Sequence, residues 1–172
     1  ASLFENAEVE VLDLNDFQMP IFSVDIEVTI GQHPLAKAFL GKIASADILV
    51  VSLAENNSNY SAAFKNIFDW CSRIGVKVFQ DKPMLLMATS PGARGGANVL
   101  EIAKNAFPRY GAIIKATFSL PSFTIKSSFL FTDSGFSPTI RQSLMYMLVA
   151  CFSITSCVQL LYRSVYCFLA FS

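Results

Sequence analysis

Two short apolar runs, Asp47-Ile48-Leu49-Val50-Val51-Ser52-Leu53 and Pro83-Met84-Leu85-Leu86-Met87-Ala88-Thr89, limit this chain most. Each is followed by a turn of small residues and then by a stretch of helical period. A continuous apolar run of this length reads as a parallel strand covered on both faces. Before them, Glu8 to Leu14 alternates polar and apolar residues, the pattern of a strand with one covered face. After them, Ala112 to Phe118 reads as a last strand that Pro121 ends.

Between the strands the spacing changes to that of helices. Leu35, Phe39 and Ile43 recur every four residues behind Pro34, which suits the first turn of a helix. Phe64, Ile67, Phe68, Cys71 and Ile74 make a second stripe, with Ala62, Ala63 and Trp70 as further apolar surface. Lys65, Asp69 and Arg73 form a charged line on that helix, read as a solvated face. Val99, Leu100, Ala103 and Phe107 line a third helix. Asn15 to Pro34 reads as a long loop, a kind that is often functional. The order β–α–β–α–β–α–β predicts an α/β fold with a parallel sheet and helices on both faces.

Composition narrows the function classes. The 172 residues suffice for one domain with a real core. Thirteen basic residues balance 13 acidic ones, and no basic stripe suggests nucleic acid. One histidine, His33, and four cysteines without a CxxC pair argue against a zinc site. The chain opens with Ala1 and shows no signal sequence, which predicts a cytoplasmic protein with a processed start or a fragment. Of the 26 charges, 22 fall in residues 1–123; residues 124–172 carry only Lys126, Asp133, Arg141 and Arg163. Two compositional parts follow, of which the first reads as a soluble domain.

Open α/β sheets bind ligands outside the carboxyl ends of their strands. Two loops leave strand ends and enter helices here: Ala54–Tyr60 and Ser90–Gly96. Glycine lets a ligand approach the backbone, and a helix N-terminus offers N–H groups with a partial positive charge. Together they suit a flat, electron-accepting ring. The plainer alternative is a pair of ordinary turns with Ser61 and Ser90 as helix caps.

The wording of these segments is more specific than their pattern. Ala46-Asp47, an apolar strand and then Ala54-Glu55-Asn56-Asn57-Ser58-Asn59-Tyr60 resembles the "AD…PEYNGSY" segment of the NADPH-dependent FMN reductases. Ala63-Phe64-Lys65-Asn66-Ile67-Phe68-Asp69-Trp70 looks like that family's "xLKNxxDW" helix. Lys82-Pro83 and Ser90-Pro91-Gly92-Ala93-Arg94-Gly95-Gly96 match "KP…SxGxxGG". Asp13-Leu14 with Met19-Pro20, and Leu120-Pro121-Ser122-Phe123, match two further pieces.

The resemblance covers roughly residues 7–123 and implies a flavodoxin-like three-layer fold of strand order 2-1-3-4-5, with FMN and NAD(P)H as cofactors. By position, Glu55, Asn57, Ser58, Asn59 and Tyr60 would border the flavin ring. Ser90, Pro91, Gly92, Gly95 and Gly96 would close its other side. No side chain need act as acid or base, and Glu55 is read as a positioning or electrostatic residue. Arg94 is either a phosphate contact or a solvated loop residue, and His33 a loop residue before Pro34. Electrons would pass from NAD(P)H through FMN to a quinone or similar small acceptor. The family pairing implies a homodimer through the Lys65–Trp70 helix, with core packing as the alternative role for Trp70.

Three departures qualify these expectations. The family's first strand and its phosphate loop have no counterpart before Asp13-Leu14. Residues 1–123 thus read as a partial flavodoxin-like domain whose central sheet position is open. That loss exposes backbone groups and predicts weakened FMN binding. Ser58 stands where the family has glycine, and Asn56 where it has an aromatic residue or histidine. Residues 124–172 form a divergent hydrophobic tail, in which Leu144 to Tyr162 runs 19 residues without a charge. By length that run is a membrane-span candidate; it also reads as a non-native tail or a packed helix. The competing function is a non-catalytic, truncated or misspliced fragment acting only through protein association. An electron-carrier flavodoxin and a phospho-acceptor receiver share the topology but fit the loop motifs less well.

Overall fold

The alternating N-terminal run becomes β1 (Glu8–Asp13) in a computed structural model that describes residues 8–90, 92–120 and 164–170. The two apolar runs are β2 (Ile48–Asn56) and β4 (Lys82–Thr89), which pair in parallel with Leu49 opposite Met84 and Ala54 opposite Thr89. β5 (Ala112–Leu120) continues the sheet beside β4, with a register irregularity between Met84 and Leu85. A two-residue strand, β3 (Asn59–Tyr60), folds back antiparallel onto the end of β2.

The position that the sequence leaves open between β1 and β2 is filled. β6 (Ser164–Ala170), from the hydrophobic tail, runs there parallel to both neighbours, giving the order β1-β6-β2-β4-β5. Glu8 faces Ser164 on one side, and Ile48 faces Val165 on the other. The expectation of exposed backbone groups is therefore corrected. Unpaired peptide groups in a sheet interior are costly, and Ser-Val-Tyr-Cys-Phe-Leu-Ala is rich in strand-forming residues.

The crossovers from β1 to β2, β2 to β4 and β4 to β5 all advance in one direction across the sheet. Right-handed connections then place α2 (Pro34–Ser45), α3 (Ala62–Ile74) and α4 (Ala97–Ala106) on one face. Leu49, Val51 and Leu53 of β2 and Met84, Leu86 and Ala88 of β4 point to that face and share one buried cluster with the helices. A third layer on the opposite face falls outside the described residues, as does the charge-free run 144–162. Among the described residues no helix is long and apolar enough to cross a membrane.

The long loop after β1 holds more structure than its punctuation suggests. A 3-10 turn (Leu14–Phe17) buries Leu14 and Phe17, and a short α1 (Val24–Ile30) follows with no buried residue. The Ser23 hydroxyl caps α1 by accepting from Ile26 N at 3.2 Å. The residues of α1, Val24-Asp25-Ile26-Glu27-Val28-Thr29-Ile30, alternate apolar and polar, a strand-like period that gives no helical signature.

This loop explains Trp70. The α3 stripe buries Phe64, Ile67 and Cys71, and Trp70 is also wholly buried, at 0% exposure. The loop lies over it: the indole Nε1 donates to the Pro20 carbonyl at 2.8 Å, and the Phe22 ring stands edge-on at 5.2 Å. Asn66, one turn earlier, accepts from Phe22 N at 2.8 Å and donates to Met19 O at 3.0 Å and Pro20 O at 3.2 Å. The apolar surface that the sequence offered to a second subunit is thus covered by the protein's own chain. Lys65 does pair with Asp69 at 2.7 Å on the exposed side, and Arg73 reaches Glu27 of α1 at 2.9 Å.

Candidate functional site

β2 and β4 are adjacent and parallel, so the loops after them emerge side by side at the carboxyl edge of the sheet. The loop after β2 is a tight hairpin rather than an open loop. Glu55 pairs with Tyr60 and Asn56 with Asn59, leaving Asn57 and Ser58 as its two turn residues. Both have positive φ, 51° and 63°. Positive φ at both centres is the two-residue hairpin geometry that asparagine and glycine favour. Ser58 adopts it without that advantage. Asn56, Asn57, Ser58 and Asn59 are exposed, and the Asn59 carboxamide oxygen accepts from Tyr60 N at 2.8 Å.

The turn after β4 is held from within. Ser90 Oγ accepts from Gly96 N at 3.1 Å, Gly95 N donates to Gly92 O at 3.1 Å, and Ala97 N donates to Arg94 O at 2.9 Å. Ser119 Oγ, at the tip of β5, donates to Gly95 O at 2.9 Å. Gly92, Ala93 and Arg94 are exposed, whereas Gly95 and Gly96 are buried. At Gly96 (φ +76°) a Cβ would stand 2.9 Å from the Ala88 Cβ, so this glycine lets the turn pack on β4. A Cβ at Gly92 would meet only Ser90 Oγ, at 3.7 Å. Pro91 lies outside the described residues.

The two loops are joined by one side chain. Glu55 Oε2 accepts from Val99 N, in the first turn of α4, at 2.9 Å. The N-cap residue of α4 is Gly96, which makes no side-chain cap bond of its own. The capping oxygen therefore comes from the neighbouring strand. At the α4 N-terminus the amides of Gly96, Ala97 and Val99 are engaged within the chain. Ser61, by contrast, caps its own helix, with Oγ accepting from Phe64 N at 3.2 Å.

Tyr60 points inward instead of bordering the exposed turn. Its ring lies 5.3 Å from Phe64 and stacks at 6.0 Å on Phe107. Its hydroxyl is buried without a hydrogen-bond partner among the described residues, and burial, aided by Tyr110, pushes its pKa up to about 12. His33 caps α2, its Nδ1 accepting from Leu35 N at 3.2 Å. At the same edge, a cavity of about 290 Å³ opens between the Leu14–Met19 turn and α3, with Asn15, Gln18 and Met19 on one wall and Ala63, Asn66 and Ile67 on the other. Sequence reasoning missed this cavity and the strapping role of Asn66, since a helix-surface asparagine carries no local mark of a distant backbone partner. No group of three metal-ligating side chains exists among the described residues.

Two exposed turns stand on neighbouring strand tips, roughly one strand spacing of ~4.8 Å apart at their bases. Gly92 leaves the approach to its turn open.

The fold and this pair of loops define a flavodoxin-like α/β domain. A solved structure, the flavoenzyme NAD(P)H:(acceptor) oxidoreductase FerB from Paracoccus denitrificans, superposes with a TM-score of 0.54 at 18% identity, covering 87% of this chain and 79% of that one. The chain belongs to the NADPH-dependent FMN reductase family, whose model matches residues 1–124. It is 32% identical over 117 residues to an NADPH:quinone oxidoreductase of Arabidopsis thaliana, covering 67% of this chain and 58% of the relative. It is 30% identical over 97 residues to a quinone reductase of Escherichia coli (strain K12), covering 56% of this chain and 49% of the relative. The chain thus spans about half the length of these relatives.

Proposed function

We propose that the protein is an FMN-dependent NAD(P)H oxidoreductase that passes electrons to a quinone or similar small acceptor. The observation that carries this reading is the pair of turns, Asn57–Ser58 and Ser90–Gly96, set on adjacent strand tips and tied together by Glu55. When bound, FMN would supply the redox chemistry, hydride acceptance from NAD(P)H and two-electron reduction of the acceptor. The chain's own part is to seat the ring, through the polar hairpin on one side and the Ser90–Gly92 backbone on the other, and to keep both turns rigid. The family match and the quinone reductases among the relatives support the choice of acceptor.

A homodimer and a cytoplasmic location belong to the same reading. With Trp70 covered, the dimer contact on the α3 side would use the surface next to it, where Ile21 and Val28 are more than 80% exposed.

The test is a titration of the purified chain with FMN, followed by flavin fluorescence, together with NADPH oxidation in the presence of benzoquinone. Weak but saturable binding at one FMN per chain, and quinone-dependent NADPH oxidation, are expected. No binding at micromolar FMN and no turnover would replace this reading with the association-only one.

A further inference from the structure

We infer that Glu55 is a positioning residue that sets the distance between the two halves of the FMN site by capping α4 from β2. The inference rests on the reading of that site as an FMN site. Three observations carry it. Glu55 forms the outer of the hairpin's two pairs, opposite Tyr60 and next to the Asn56–Asn59 pair that closes the Asn57–Ser58 turn, so its backbone moves with that turn. Its carboxylate accepts from Val99 N at 2.9 Å, at a position where a helix ordinarily receives its cap. The residue that would ordinarily supply that cap is Gly96, which has no side chain to offer and lies too close to Ala88 for one.

The consequence is mechanical and electrostatic together. The glycine-rich turn needs glycine at residue 96 to pack on β4, and so leaves α4 uncapped. Glu55 fills that need from across the strand boundary, and the helix dipole favours its negative charge there. Were the bond lost, one tie between the hairpin and the first turn of α4 would go, and the two turns could shift against each other. A ring held between them depends on that separation. A negative charge held in the site would also disfavour reduction of a bound flavin, which gains negative charge.

The test compares wild type, Glu55→Gln and Glu55→Ala in the full chain. Glutamine keeps an acceptor oxygen and removes the charge; alanine removes both. Three measurements are made: the FMN dissociation constant, the midpoint potential of bound FMN, and hydrogen exchange at the Val99 amide in the flavin-free protein. Glu55→Ala is expected to weaken FMN at least tenfold and to speed Val99 exchange by a similar factor. Glu55→Gln is expected to stay within threefold on both, with the potential moved to more positive values. A wild-type chain that binds no FMN overturns the site reading and this inference with it. If wild type binds FMN, the inference alone falls in either of two cases: Glu55→Ala retains affinity and Val99 protection within threefold, or both variants lose affinity equally.

Discussion

The Asn66 carboxamide holds Phe22 by its backbone, accepting from the Phe22 N–H at 2.8 Å while its amino group donates to the carbonyls of Met19 and Pro20. Three backbone groups of an otherwise irregular loop thus bond to one side chain, and Pro20 O takes a second bond from the Trp70 indole. Asn66→Ala leaves them without these partners, and the expected loss is about 2–3 kcal/mol in urea unfolding. Limited proteolysis should then cut within residues 19–22. A loss under about 0.5 kcal/mol would show that water replaces the clasp.

Ser58 occupies a turn position of φ 63° that glycine adopts more readily. Ser58→Gly should stabilise the folded chain by about 0.5–1 kcal/mol. The same change at Asn57 should gain less, because asparagine already tolerates this region. Chemical denaturation of the two variants side by side gives the ordering.

Gly96 and Gly92 should part company under substitution. Gly96→Ala combines a positive φ with a 2.9 Å approach to Ala88 Cβ, and should cost about 2 kcal/mol or more. Gly92→Ala meets nothing closer than 3.7 Å and should leave the midpoint of unfolding unchanged. On the proposed site, however, it should weaken FMN several-fold. Equal FMN affinity in wild type and Gly92→Ala would remove Gly92 from the binding surface.

Alkaline pH should destabilise the protein through two buried groups. Burial raises the Cys71 thiol from 9.0 to about 12, and burial with Tyr110 raises Tyr60 from 10.0 to about 12. Both folded values lie above the unfolded ones, so the folded state holds these protons more tightly. The stabilisation is whole below pH 9 and is lost as pH rises through 12. Melting temperature measured from pH 8 to 12 should fall steadily above pH 9, and Tyr60→Phe should flatten part of that fall. By peptide mapping, Cys71 should resist alkylation at pH 8 until denaturant is added.

β6 is the sheet partner of β1 and lies between it and β2. A chain ending at Arg163 should therefore lose protection against hydrogen exchange throughout Glu8–Asp13. The β2–β4–β5 ladders, which do not involve β6, should keep more of theirs. Retained protection of β1 in the shortened chain would place its stability elsewhere.

Much of this fold was legible in the residues. Leu49, Val51 and Leu53 read as a doubly covered strand because each face of such a strand is apolar, and β4 read the same way. The hairpin at Asn57–Ser58 was harder, since its polar residues look like any loop until their pairing partners are known. α1 escaped notice because Val24 to Ile30 alternates apolar and polar, the period of a strand, and only Ile26 packs against the core. The filling of the central position by Ser164–Ala170 was beyond local reading: pairing partners more than 100 residues apart leave no periodic trace. At the candidate site, the positions were readable and their bonding was not. Glu55 meets Val99 only once β2 and α4 have been brought side by side.

The pairing of Glu8 with Ser164 also sets an order of events in folding. The ladders between β2, β4 and β5 involve neighbours in sequence and can close early. β1 has to wait for a partner made over 150 residues later, at the entropic cost of a very long loop. During synthesis β1 therefore leaves the ribosome well before its partner β6 has been made.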